Sequence, residues 1–525
     1  MEDGIVLTQK GYSIRKAALS PQQTDLILKE LNVCPKLNMK FASDKIIAEA
    51  SFKVYRESPN RWYLPRHWGI EHFGPPDKSN LPLGLELSES AGKFVGNPYQ
   101  YQEDIIKTFM DAGGNGLICV PCGKGKTFMA LAIAARIGRR FLVVVDKEFL
   151  MNQWRGEMEA LMPGIRVGII QEDLKQIGDV EEPEQKDPTI SEMKVKLKEL
   201  GLKVSGTKDV LLSRLKAAIP GYNEKVVKEK VQYDCSIALI QTLIRRNFTP
   251  KDFDNFGFTI FDECHHLGAR HFSKVLQRVQ TNHMLGLSAT PTREDGLSKV
   301  FTWFLGKPVY WEKTREPDPS VEVKSILIET DNIEYNTIPT NWRGEPVMAQ
   351  LLTNILGCKE RTEIIVGWVR RLGEEPARRI LVLSERIGHL EEIERRLTGS
   401  GLSIAYYIGG MKEEVREAGA RDARVLLASY AMASEAMNIK SLNSVILASP
   451  RKHVEQSTGR ILRTRVSERV VQPMIIDIVD KHMMYKGQWK KRQAYYKQCA
   501  YKLETWNMDV PSSYRAPPSG ECLIK

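Results

Sequence analysis

Short apolar runs punctuate this chain. Gly116-Leu117-Ile118-Cys119-Val120 reads as a buried strand. A glycine-containing loop follows, and then Phe128 to Ile137, an Ala-rich helix. Phe256 to Phe261 is again apolar and β-prone, and it ends in two carboxylates, Asp262 and Glu263. Further on, Gln456, Arg460 and Arg463 recur at three- to four-residue spacing, which predicts one helix face presenting all three. The pattern differs between Gln171 and Val231. Asp179 to Gln185 reads as a linker, and Ile190, Met193, Leu197 and Leu200 are spaced as one face of a short helix. Gly201 is a natural stop. Ser205 to Lys208 then opens a second helix, Asp209 to Ala218, with Leu211, Leu212, Leu215 and Ile219 inward. Near the end, Tyr485, Trp489 and Tyr496 lie on a basic helix, where packing onto the preceding domain is preferred over stacking on bases.

Composition narrows the class. At 525 residues, with 42% hydrophobic and 27% charged positions, the chain has the make-up of a soluble protein of two to four domains. No apolar run reaches the roughly 18 residues of a membrane span, and residues 1–16 lack the apolar core of a signal peptide. The eight cysteines are scattered, which predicts an intracellular, reducing compartment, nucleus or cytoplasm. Cys119 and Cys122 form a CxxC, but no second pair stands at zinc-finger spacing. A net charge of +11 favours a polyanionic partner. It is uneven: Lys481 to Lys525 holds nine Lys/Arg against three Asp/Glu.

The candidate chemistry is that of a nucleoside triphosphate. In Val120 to Thr127, glycines such as Gly123 and Gly125 let backbone N–H groups approach phosphates, beside Lys124, and the helix N-terminus adds its positive end. Lys126 can reach the β- and γ-phosphates, and Thr127 can ligate Mg²⁺. Asp262 is the expected Mg²⁺ partner and Glu263 the residue that polarises the attacking water. His265 is expected to link these groups to the γ-phosphate, with a structural role as its alternative. Arg460 and Arg463 would supply charge to the transition state, with Gln456 presented beside them as a further catalytic candidate. ATP and Mg²⁺ are therefore the expected cofactors.

Together with Phe141–Val145 and Asn152-Gln153-Trp154, Ile237–Leu243, Gly286–Pro291, Leu381–Ser384 and Ala428–Ile439, these motifs resemble those of the superfamily 2 helicases over about residues 95–480. Asp146–Trp154 and Tyr406–Met411 are most similar to the group containing XPB, phage UvsW and the transcript-release helicases of large DNA viruses. The resemblance implies an α/β protein with two tandem RecA-like parallel-sheet domains. It makes Gln100 of Pro98-Tyr99-Gln100 the base reader, with Gln102 its competitor. It assigns Ser288, Thr290 and Glu435 to coupling. Where the group reads Glu-Gly-x-Asp, this chain has Glu435-Ala436-Met437-Asn438, losing a carboxylate. The insertion is similar to SAP modules at Leu197-Lys198, Gly201-Leu202, Ser205–Lys208 and Arg214-Leu215. That likeness implies duplex DNA contacts through Lys203, Lys208 and Arg214, a protein-docking helix pair being the alternative.

The expected organisation is an N-terminal accessory domain over 1–90 and a first RecA-like domain over 91–315, interrupted by the insertion at 184–221. A second RecA-like domain spans 316–480, and a basic aromatic extension spans 481–525. The expected function is ATP-dependent DNA translocation or unwinding, 3′ to 5′ by resemblance, in transcription, repair or recombination, with proteins of those processes as further partners and no membrane. An RNA helicase and a duplex translocase are the rivals. A non-catalytic scaffold would need Lys126, Asp262, Glu263 or Arg460 to be replaced, and all four are present.

Overall fold

The apolar runs assemble into two mainly parallel sheets. In the computed structural model all residues are described except 1–3, 37–43, 122, 183–188, 220–228, 314–315, 436, 438, 440, 463, 465, 512–513 and 516–525. The first sheet has eight strands in the order 174–175, 167–171, 235–239, 141–145, 258–261, 283–288, 115–119 and 308–311. All its pairings are parallel except that of 174–175. Phe141–Val145 is buried at every position, as a strand covered on both faces must be. The second sheet has seven parallel strands in the order 404–407, 425–429, 380–384, 444–447, 474–480, 322–330 and 502–510. The two RecA-like lobes of the α/β expectation are thus present.

Local rules set several boundaries. The helix expected from Phe128 begins at Lys126, because Gly125 takes the left-handed conformation (φ +80°) that ends the loop as the helix N-cap. The strand expected from Phe256 begins at Phe258. In the insertion, helices Ile190–Glu199 and Lys208–Ala218 bury Met193, Leu197, Leu211 and Leu215 against each other. Ile190 and Leu200, expected inward, are exposed, since a four-residue core does not reach the ends of the first helix. Thr189 and Glu192 cap that helix reciprocally. Strands 179–182 and 229–232 pair antiparallel at the base of the insertion.

Both ends of the chain are more integrated than the sequence suggests. The N-terminal five-stranded sheet and the helix Arg66–Phe73 share one hydrophobic core with the first lobe, in which Tyr12, Trp62 and Trp68 join Phe301 and Phe304. Buried Arg66 donates from Nη1 to Asn115 Oδ1 at 2.9 Å and to the Asn282 carbonyl at 3.0 Å, pinning this region to the phosphate-loop strand. At the other end, Lys502–Val510 is an edge strand of the second sheet, paired with Glu322–Thr330 over nine residues. Polar and apolar positions along it fall out of alternation at Glu504-Thr505, so the sequence pattern does not predict this strand. The preceding helix, Met483–Gln498, packs as expected: Tyr496 is fully buried and donates to Asp477 Oδ2 at 3.0 Å, and Trp489 is half-buried.

Candidate active site between the lobes

The carboxyl ends of four adjacent strands of the first sheet bring the predicted residues together. Asn115–Cys119 leads into the phosphate loop, and Phe141–Val145, Phe258–Phe261 and His283–Ser288 end at the same edge, the crevice where open parallel sheets place their ligands. Gly123 (φ +89°) and Gly125 give the loop its left-handed turns. Gln102 supports the loop, donating to the Lys124 carbonyl at 3.1 Å, and Tyr101 Oη donates to the same carbonyl at 3.2 Å. Gln100 instead lies exposed and donates to Asp104 at 3.0 Å, so of the two glutamines it is Gln102 that touches the loop. Lys124 Nζ meets Glu316 at 2.5 Å and Glu312 at 3.4 Å, partners the sequence did not suggest.

Lys126 Nζ lies 3.1 Å from Glu263 Oε1. Glu263 Oε2 stands 3.3 Å from His265 Nδ1, which meets Ser288 Oγ at 3.0 Å. Ser288 Oγ also accepts from the Thr290 N–H at 3.1 Å. A polar chain therefore runs Lys126, Glu263, His265, Ser288, Thr290. Glu263 adopts φ +42°, a left-handed backbone that a side-chain-bearing residue takes at a cost, and it caps the turn Cys264–Gly268. Asp262 accepts from Trp154 Nε1 at 2.9 Å and from the Glu263 N–H at 2.9 Å.

Charge balance separates the two acids. Burial pushes the Asp262 carboxyl up to about 6, and the Glu263 charge beside it adds to the rise. Burial would also raise Glu263, but Lys126 and then His265 overcome it and hold that carboxyl well below the ordinary range. The His266 imidazole is lowered by burial and by the neighbouring His265. Two carboxylates beside one ammonium leave negative charge to spare, and Glu263 Oε2 is a buried acceptor without a hydrogen bond of good geometry. These features fit a divalent cation held by few protein ligands, the manner in which Mg²⁺ is bound next to phosphates. Among the described residues no cluster of three or more metal-ligating side chains exists, as such a site requires none.

The second lobe faces this edge across a cleft of about 680 Å³, in which Glu263, His265 and Thr290 look toward Arg451, His453 and Gln456. Gln456 lines this cleft. Arg460 is not on the same face. Residues 455–458 form one helical turn, and 459–462 tighten into a 3₁₀ turn, which breaks the expected single face. Arg460 is buried, and it donates to the carbonyls of Ala433 at 2.6 Å and Met437 at 2.8 Å. Arg463 lies outside the described residues, as do Asn438 and the Glu435 side chain. Opposite Arg293 of the first lobe, the guanidinium of Arg451, which sequence reasoning missed, does line the cleft from the second lobe. Its signal is the basic run Arg451-Lys452-His453 directly ahead of the Gln456 motif.

The facing loop is held from behind. Arg492 donates to Asp477 Oδ2 at 2.9 Å and to the Arg451 carbonyl, and Tyr495 Oη meets Thr458 Oγ1 at 3.2 Å. Across the cleft, Glu294 pairs with Lys452 and with His453 Nε2 at 3.1 Å, and Asn152 donates to Glu413 at 2.6 Å. The insertion's three candidates divide. Lys203 and Lys208 sit on its exposed surface, whereas Arg214 Nη1 donates to the carbonyls of Lys203 at 2.8 Å and Ser205 at 2.6 Å, tying down the inter-helix loop.

The chain is similar to several known proteins. Residues 96–293 match the family described as type III restriction enzyme, res subunit. A protein of Acanthamoeba polyphaga mimivirus whose name describes an ATP-dependent RNA helicase is 30% identical over 512 residues, covering 95% of this chain and 86% of that one. An African swine fever virus protein of the same description is 24% identical over 460 residues, covering 81% of this chain and 77% of its own length. The crystal structure of phage UvsW aligns at 14% identity and a TM-score of 0.31, covering 93% of this chain and 96% of that one.

The raised Asp262 carboxyl has a pH consequence. Raised by burial and by the Glu263 charge, it takes up a proton at higher pH than an ordinary aspartate, and the protonated form cannot hold a cation. If Asp262 holds Mg²⁺, hydrolysis at limiting Mg²⁺ should therefore fall on the acid side at a higher pH than an ordinary aspartate would give. The Trp154 bond favours the carboxylate, so Trp154→Phe should move this acid limb upward. An acid limb unmoved by the substitution, in a folded variant, contradicts the assignment.

Proposed function

The chain belongs to the superfamily 2 helicases found in large DNA viruses, and on that footing we propose that it is an ATP-driven motor that moves on DNA. The observation that carries the reading is the polar chain from Lys126 through Glu263, His265 and Ser288 to Thr290, opposite Gln456. It connects a phosphate-binding lysine to a loop that borders the second lobe, so a change at the γ-phosphate has a path to the cleft.

In this reading the loop N–H groups from Gly123 to Thr127, with Lys124 and Lys126, bind the phosphates. Thr127 and Asp262 would hold Mg²⁺, which when bound offsets charge on the phosphate oxygens. Glu263 orients and polarises the attacking water. His265, Ser288, Thr290 and Glu435 couple hydrolysis to lobe movement. Gln456 and Arg451 reach the site from the second lobe. Arg460 acts as a finger after exchanging the carbonyls of Ala433 and Met437 for phosphate oxygens on cleft closure, with Arg463 beside it. Gln102 supports the base side of the loop, and Gln100 is the reader only if the base reaches the solvent-facing side of its helix.

DNA is favoured by the two-helix insertion, whose SAP-like sequence and exposed Lys203 and Lys208 suit duplex phosphates. Movement 3′ to 5′ and a place in transcription, repair or recombination rest on the family likeness. The names of the mimivirus and African swine fever virus relatives favour RNA as the second reading. ATP hydrolysis measured with single-stranded DNA, duplex DNA and RNA, beside a strand-displacement assay, separates the two. DNA should stimulate the wild type more than RNA does, and stimulation by RNA alone contradicts the first reading.

Two sets of variants test the assigned roles. Lys126→Ala and Glu263→Gln should each reduce stimulated hydrolysis by about 10²-fold or more, and wild-type turnover in either defeats the site assignment. Lys203→Gln with Lys208→Gln should weaken duplex binding and make its salt dependence shallower by about 2 in log–log slope. Arg214 is left intact there because it holds the loop. Unchanged slope and affinity would make the insertion a protein-docking module.

A further inference from the structure

Away from the ATP cleft, a groove of about 670 Å³ runs along the seam between the N-terminal region and the first lobe. Asn32, Ser51 and Lys53 line one side, and Arg270, Lys274 and Gln277 line the other. Lys53, Arg270 and Lys274 are exposed, and among the described residues no carboxylate lines it. Glu49 meets Arg270 through its backbone carbonyl, at 2.6 Å.

Positive charge is crowded here. Arg56 donates to Gln277 Oε1 at 3.3 Å, just behind the groove. Its guanidinium is lowered from its ordinary value by burial and then by the charge of Arg278. Arg278 itself is anchored on the carbonyls of Leu243 at 2.6 Å and Arg246 at 2.8 Å. Gathering like charges without acids to offset them costs stability in the free protein. An anionic ligand would recover that cost. Exposed Lys53, Arg270 and Lys274 along an open channel match a chain of phosphodiesters.

The seam is also rigid and well placed. Its two sides share one hydrophobic core, so the groove is not a gap between loosely joined domains. Arg270 and Lys274 follow His265 closely in sequence, on the segment leading out of the Cys264–Gly268 turn. A ligand held there bears on the turn that carries the coupling histidine.

We propose that this groove grips the phosphodiester backbone of the nucleic acid on which the protein acts, a proposal that rests on the motor reading above. The test is binding of labelled single-stranded DNA, duplex DNA and RNA over a salt series. It compares wild type with Lys53→Glu/Lys274→Glu and with Gln277→Glu, which adds a carboxylate beside Arg56 without removing a cation. The double variant should lose about tenfold or more in affinity at moderate salt, with its slope reduced by about 2 on duplex DNA. Gln277→Glu should weaken binding in the same direction. The nucleic acid whose affinity falls most identifies the one held. Unchanged affinity and slope in both variants, with melting temperatures near wild type, overturn the proposal and leave an acidic protein as the groove's ligand. Failure of the motor reading would look different: wild-type hydrolysis would ignore every polynucleotide, whatever the variants do.

Discussion

Two carboxylates and one ammonium at the end of the first sheet set the terms for the rest of the structure. Lys126 and Glu263 pair at 3.1 Å, and Asp262 sits beside them without a cation of its own. Partly buried charges of this kind are tolerated only if each is paired, hydrogen-bonded or shifted in protonation. Each outcome is visible. Glu263 is kept ionised by Lys126 and His265, while burial drives Asp262 up to about 6 despite the Trp154 indole. In the proposed function a triphosphate with a divalent cation would complete this balance. Phosphate oxygens would give Lys126 a better partner than Glu263, and the cation would give Asp262 the positive charge it lacks. Glu263 would then be freed toward water. The strained φ of Glu263 and the link through His265 to Ser288 and Thr290 place that exchange where the second lobe can register it.

The second lobe answers with buried charge of its own. Arg361 and Asp480 form a fully buried bidentate pair, closed by Tyr335, and Arg492 and Tyr496 share Asp477. The second of these reaches the cleft, because Arg492 also holds the Arg451 carbonyl. The C-terminal helix is therefore a brace for the loop that presents Arg451, His453 and Gln456, and the edge strand after it locks the helix to the sheet.

Much of this was legible in sequence where a local rule has one outcome. A buried parallel strand reads as a continuous apolar run, so Phe141–Val145, the phosphate-loop strand and the Asp262-Glu263 strand could be read directly. Glycines needed at positive φ marked the loop and the end of the insertion's first helix at Gly201. What stayed hidden depends on contacts distant in sequence. Arg460 has the expected spacing, yet a tightened turn and the carbonyls of Ala433 and Met437 draw it inward. Gln102 rather than Gln100 meets the loop because the helix start rotates it there. The strand Lys502–Val510 alternates too weakly to announce itself, and its pairing with Glu322–Thr330 spans most of the second lobe. The N-terminal region showed no catalytic pattern, and its fusion with the first lobe rests on buried Arg66 and on packing that spacing does not encode.

The central claim is that nucleotide binding exchanges the Lys126–Glu263 pair for phosphate contacts. Its most direct measurement is a calorimetric titration of wild type and Glu263→Gln with a non-hydrolysable ATP analogue and Mg²⁺, above pH 7. Without a carboxylate to displace, the variant should bind about tenfold more tightly, equivalent to one charge-assisted hydrogen bond of roughly 1.5 kcal/mol. Equal or weaker affinity in the folded variant would contradict the exchange.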